Sequence, residues 1–171
     1  EDFWCPIPPS LYLVLQGADI LVNLSATNEL IGKHSYLLSL VRQQSARCVA
    51  GYVYASAGVG ESSTDLVFAG NGLVVENGSI LAESKRFSST PQLVVSEIDV
   101  ERLRTERRVM TSFAKGAWAH GRDARFIPFV LNDIPLRLTR KVGAFPFVTS
   151  DSLVLNERCA EILDMLCSGL A

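Results

Sequence analysis

Branched apolar residues gather in short blocks along this chain, and between the blocks apolar positions recur at helical spacing. Ala18 to Leu24 holds Ile20, Leu21, Val22 and Leu24 in a near-continuous run, which predicts a buried strand. Upstream, the proline-rich opening EDFWCPIPPS reads as a turn, and Ser10 to Gln16 as a short helix with Ser10 as its N-cap. Ser25 to Lys33 is a polar loop. From Ser35 to Arg47, Tyr36, Leu37, Leu40 and Val41 fall on one side of a helical wheel while Arg42, Gln43 and Arg47 fall largely elsewhere, so an amphipathic helix is predicted. Val49 to Ala55 follows as a second buried strand.

Three short extended runs come next, Leu66 to Phe68, Leu73 to Glu76 and Ile80 to Glu83, separated by Asn71-Gly72 and Asn77-Gly78. Asn-Gly tolerates positive φ at both positions, so an antiparallel meander is expected. Gln92 to Glu97 reads as another strand, and Asp99 as the cap of a charged helix reaching about Val109. This order belongs to a mixed α/β domain. Ser112 to Ser150 carries three prolines, scattered aromatics and little periodicity, as a linker packed over a surface would. Helical spacing resumes from Asn156 to Leu170, with Gly169 as a candidate cap.

Composition narrows the function classes. The 171 residues are 48% hydrophobic, enough for one domain with a sizeable core. A net charge of -2 gives no basic stripe for phosphate neutralisation, which argues against nucleic acid. The apolar runs fall short of the roughly 20 residues of a membrane span. Cys5, Cys48, Cys159 and Cys167 show no CxxC spacing, which argues against a zinc site or a disulfide scaffold and suits a reducing cytoplasm.

Candidate chemistry is sparse on spacing alone. Cys5, beside Trp4 and Pro6, reads as a small buried apolar residue more readily than as a nucleophile. His34 and His120 have no triad-like or metal-like spacing and read as surface or locally bonded histidines. The GVG of Gly58 to Gly60 lacks the pattern of a phosphate cradle and marks a tight turn. Glu1 and Asp2, adjacent on an extended chain, point to opposite faces and cannot converge on one bond.

Four ordered motifs carry the reading further: EDFWCPIPPS, ILVNLSATNELIGK, QQSARCVAGYVYASAGVGESSTDLVFAGNG and GSILAESKRF. Together they resemble the glutaminase domain of bacterial glutamine-dependent NAD synthetases, a branch of the nitrilase superfamily. The closing stretch from LTRKVGAFPFVTSD to NERCAEILDMLCSGLA resembles that family's connector and first synthetase-domain helix. The resemblance implies the second half of a nitrilase-like α-β-β-α sandwich over 1–111, a connector over 112–152 and the start of a synthetase-domain helix over 153–171.

In that family a nucleophilic cysteine precedes E-D-x-W, so Glu1 would be the residue immediately after it. The general-base glutamate and catalytic lysine would lie further upstream, and a phosphate-binding SGGxDS segment downstream of Ala171. The resemblance therefore implies that these residues alone are inactive. The parent would be a cytoplasmic homo-oligomer that hydrolyses glutamine and passes ammonia to an ATP- and magnesium-dependent domain amidating deamido-NAD. For Glu1 it implies a backbone N–H in the oxyanion hole and a side chain facing the substrate amino group. For Ser25 and Thr27, at the end of the first strand, it implies contacts to the polar end of glutamine. Capping or turn bonding within the loop is the alternative for both hydroxyls. Trp4 is expected to pack the turn, with Arg47 and Glu61 paired near the surface or at an interdomain joint. No metal ligand or cofactor is expected within these residues. A stand-alone amidase or carbamoylase of the same superfamily, and a non-catalytic structural or oligomerisation module, are the competing readings.

Overall fold

The computed structural model describes residues 2–120, 124–132, 137, 139–140, 148–149 and 151–170. Its described elements are α1 (Ser10–Leu15), β1 (Ile20–Ser25), α2 (Lys33–Cys48), β2 (Gly51–Ser56), β3 (Gly72–Glu76), β4 (Ser79–Glu83), α3 (Val100–Val109), α4 (Thr111–His120) and α5 (Ser152–Leu170). The four strands form one sheet in the order β1-β2-β3-β4. β1 and β2 are parallel, as their joining through α2 requires, and the other two pairs are antiparallel. The chain divides into a compact unit ending at Leu138 and a second one starting at Thr139. Among the described residues no helix is long and apolar enough to cross a membrane.

Strand register explains the core. Leu21 pairs with Tyr52 and Tyr52 with Val75, while Asn23 pairs with Tyr54 and Tyr54 with Leu73. With period-2 alternation, all of these side chains share one face. There they pack against Phe3, Val14 of α1 and Leu37, Val41 and Cys48 of α2. The opposite face of β1 is open: Val22 is 68% and Leu24 83% exposed. The expected fully buried strand is thus buried on one face only, because an unbroken apolar run does not reveal whether a second layer covers it. Nearer the sheet centre, Ile98 lies over Gly51, where a Cβ would stand 2.8 Å from the Ile98 Cδ1.

The meander is shorter than expected. Asn77 (φ 44°) and Gly78 (φ 81°) form the two-residue turn between β3 and β4. Asn71-Gly72 makes no such turn, since Gly72 already belongs to β3 and the Ser56 N–H donates to the Asn71 carbonyl at 2.8 Å. Residues 66–68 form a loop in which the Ser62 hydroxyl accepts from the Phe68 N–H. The strand expected over Gln92 to Glu97 is also absent. The Gln92 side chain instead bonds the Lys85 N–H and carbonyl, and Leu93 and Val95 point into solvent.

Helix ends show where local signals hold. Asp99 accepts from the Arg102 N–H at 2.9 Å, the cap that its position predicts for α3. Ser10 is not a cap: Pro9 holds that position, and the Ser10 hydroxyl accepts from the Gln44 amide at 3.0 Å. α2 ends with Val49 at φ 46°, a left-handed conformation that is rare for a β-branched residue. α4 occupies the start of the stretch read as linker. Phe113 packs on the core edge under the Arg107 guanidinium, and Gly116 lies against Leu15 of α1.

In the second unit, α5 starts before Asn156. The Asp151 carboxylate accepts from the Leu153 and Val154 N–H groups at 2.9 and 3.4 Å and caps the helix. Gly169 lies within α5 and does not cap it.

Candidate functional site

An open groove of about 1200 Å³ runs along the C-terminal end of β1, lined by residues from the opening segment, β1, the following loop and Tyr52. Position follows from topology, because a parallel pair joined by a crossover helix presents its ligand groups beyond the carboxyl ends of its strands. Ser25 is the last residue of β1, and Thr27 lies two residues further on. Their hydroxyl oxygens stand 3.0 Å apart and share a hydrogen bond. The Trp4 indole N–H donates to the Thr27 hydroxyl at 3.3 Å.

Two hydroxyls have two protons, and their mutual bond consumes one. One O–H donor and several lone pairs remain for a ligand. A cation stands beside them: the Lys33 ammonium donates to the Asn28 carbonyl at 2.7 Å and lies 5.1 Å from the centre of the Trp4 ring. Its two other N–H donors are available to a carboxylate. Trp4 is set by aromatic neighbours, Phe3 at 5.9 Å and Tyr36 at 5.8 Å. The floor is neutral. Burial pushes the Tyr52 phenol up to about 12, only partly offset by the Asn23 amide donating to its oxygen at 3.0 Å.

The structure therefore brings together Ser25 and Thr27, with Trp4 as their partner. Glu1 lies outside the described residues. Asp2 to Trp4 form a 3-10 turn. Cys5 is exposed, not buried, and its thiol donates to the Ile7 carbonyl. His34 meets the Glu83 carboxylate at 3.1 Å, a locally bonded histidine. His120 ends α4, and its side chain lies outside the description. Val59 to Glu61 form a 3-10 turn. Arg47 and Glu61 make no ion pair with each other among the described residues. No group of three or more His, Cys, Asp or Glu side chains is placed to hold a metal ion among them either.

Sequence reading passed over Lys33, taken only as the end of a polar loop. It also passed over Glu29, whose carboxylate accepts from the Asn71 amide at 2.6 Å and from Arg86 at 3.3 Å. The only sequence signal for either was membership of the NLSATNELIGK run.

The fold is that of the nitrilase-like carbon–nitrogen hydrolases. A carbon–nitrogen hydrolase from Helicobacter pylori superposes with a TM-score of 0.53 at 24% identity, covering 67% of this chain and 42% of that one. The C. elegans NitFhit protein gives 0.51 at 22% identity, over 61% of this chain and 24% of that one. In sequence, the chain matches the nitrilase-like part of glutamine-dependent NAD(+) synthetases. It is 42% identical to the Mycobacterium tuberculosis protein of that description and 40% to the Mycobacterium leprae one, in each case over 99% of this chain and 26% of the relative. The Saccharomyces cerevisiae protein is 27% identical over 85% of this chain. The chain thus spans about a quarter of the length of these two mycobacterial relatives. No family model matches it.

Proposed function

We propose that this chain supplies the glutamine-holding half of a nitrilase-like glutaminase within a glutamine-dependent NAD synthetase. In the complete reaction a cysteine thiolate attacks the glutamine side-chain amide, the C–N bond breaks as ammonia leaves, and water cleaves the thioester. The nucleophile, its general base and the catalytic lysine are assigned to parts outside these residues. On this reading the chain alone has no glutaminase turnover. Its backbone N–H at Glu1 donates to the oxyanion, and the Glu1 side chain faces the substrate amino group.

One observation carries the reading: the Ser25–Thr27 hydroxyl pair, bonded to Trp4, stands in one groove with the Lys33 ammonium. An amino acid with a free carboxylate needs such a cation and such donors. Bonding within the loop takes up one of the three Lys33 N–H donors, at the Asn28 carbonyl, and leaves two for a carboxylate. ATP and magnesium belong, in this proposal, to a synthetase part of which 153–171 is the first helix. That part uses the released ammonia to amidate deamido-NAD. A cytoplasmic homo-oligomer is part of the same proposal.

The test is Thr27→Ala in a full-length synthetase carrying this chain. Loss of one hydrogen bond to a charged ligand is worth about 1.5 kcal/mol, so KM for glutamine should rise about tenfold. Synthesis driven by free ammonia should be unchanged. Equal loss of both activities would remove Thr27 from the substrate site.

A further inference from the structure

We infer that Glu29 is a positioning residue that closes a hydrogen-bonded ring around the ligand loop and so sets Thr27 and Lys33. The inference rests on the groove being the glutamine site. Residues 26–32, between β1 and α2, have no regular structure of their own. Apolar packing does not hold their middle: Leu30 is 63% exposed and Ile31 is fully exposed. Polar contacts do this work, and they converge on Glu29.

The ring can be followed bond by bond. The Ala57 N–H donates to the Ser25 carbonyl at 2.9 Å, which ties the end of β1 to the end of β2. The neighbouring Ser56 N–H donates to the Asn71 carbonyl at 2.8 Å. The Asn71 amide donates to one Glu29 carboxylate oxygen at 2.6 Å, and Arg86 to the other at 3.3 Å. The Glu29 N–H donates to the Val67 carbonyl at 2.7 Å. From Glu29 the chain runs back through Thr27 to Ser25 and forward to Lys33, whose N–H donates to Leu30 and whose ammonium bonds Asn28.

Two features make the carboxylate hard to replace. The Glu29 side chain is 11% exposed, so its pairing with Arg86 is little screened by water. Asn71 is buried, and among the described residues its amide oxygen has no partner and its side chain bonds Glu29 alone. Without the Glu29 side chain, the loop retains the backbone bond to Val67 and the Trp4 bond to Thr27 but loses its link to Asn71 and Arg86. Thr27 and Lys33 then sample orientations that do not match a bound amino acid.

The experiment compares Glu29→Ala, Glu29→Gln and Arg86→Met with Thr27→Ala and Lys33→Ala in a full-length synthetase carrying this chain. Glu29→Ala should raise KM for glutamine on the order of tenfold, with kcat at saturating glutamine and ammonia-driven synthesis unchanged. Glu29→Gln keeps an acceptor for Asn71 but loses the charge facing Arg86, so it and Arg86→Met should show smaller rises. Glu29→Gln also carries the test if the alanine variant does not fold. An unchanged KM in the Glu29 variants, with KM raised in Thr27→Ala and Lys33→Ala, overturns the positioning role and leaves the groove assignment standing. KM unchanged in all five overturns both. A fall in ammonia-driven synthesis parallel to the glutamine loss makes Glu29 a general structural residue and also overturns the inference.

Discussion

Replacing Arg107 with alanine is expected to lower the unfolding free energy by about 3 kcal/mol, as removal of one partner from a buried charged cluster does. Only 9% of the Arg107 side chain is exposed. Its guanidinium donates to the Val49 carbonyl at 2.9 Å, the Ala18 carbonyl at 2.8 Å and the Asp19 carboxylate at 3.2 Å. Burial lowers its pKa while Asp19 opposes that shift. Asp19 would retain Arg104 at 2.7 Å, which limits the loss on that side. Both carbonyls would lose a charged donor, and one of them belongs to Val49, held in a left-handed conformation. Phe113 would lose the cation above its ring, loosening α4. Arg107→Lys should recover less than half, because one ammonium cannot serve three acceptors spread across a planar fork. Urea denaturation of the three proteins measures this. A lysine variant as stable as the parent would show that charge alone, and not the fork, is what matters.

Raising the pH from 9 to 12 is expected to remove several kcal/mol of stability through two groups in the same core. Burial pushes the Cys48 thiol from 9.0 up to about 11 and the Tyr52 phenol from 10.0 up to about 12. In the unfolded chain each ionises at its ordinary value, so between pH 9 and 12 the native state binds more protons than the unfolded state. Stability therefore falls as pH rises through that window and is unaffected by these groups below it. Each shift corresponds to roughly 2–3 kcal/mol, and the two are not fully additive because each charge raises the cost of the other. Urea midpoints at pH 8 and pH 10.5 are the measurement, with Cys48→Ala/Tyr52→Phe as the comparison. The double variant should lose less on going alkaline, and an equal loss in both proteins would assign the alkaline sensitivity elsewhere.

How far the sequence reached depended on whether the deciding contact was local. Branched runs revealed β1 and β2, wheel periodicity revealed α2, and Asp99 and Asn77-Gly78 announced α3 and the β3–β4 turn, because each signal acts within a few residues. α4 was missed because TSFAKGAWAH has little periodicity, and its helix is fixed by Phe113 beneath Arg107 and by Gly116 against α1. The supposed strand at Gln92 to Glu97 had the right alternation, but its Gln92 side chain binds Lys85 backbone instead of leading into a ladder. The open face of β1 was illegible for the same reason, since exposure depends on what lies opposite. In the site, Ser25 and Thr27 came from motif resemblance. Lys33 and Glu29 became visible only when Trp4 and Asn71, distant in sequence, were seen against them.

The two kinds of strand connection in the sheet differ in the order they demand of the chain. β3 and β4 meet through two residues, whereas β1 and β2 must bring Ser25 beside Ser56 across the whole of the β1–α2 loop and α2. Loop-closure entropy grows with the logarithm of the span, so the parallel pair demands roughly 2 kcal/mol more than the hairpin before any contact offsets it. Ser25 and Thr27 are carried by that costlier connection. The two hydroxyls proposed to hold the ligand thus sit on the connection that takes more conformational freedom from the chain than the hairpin does.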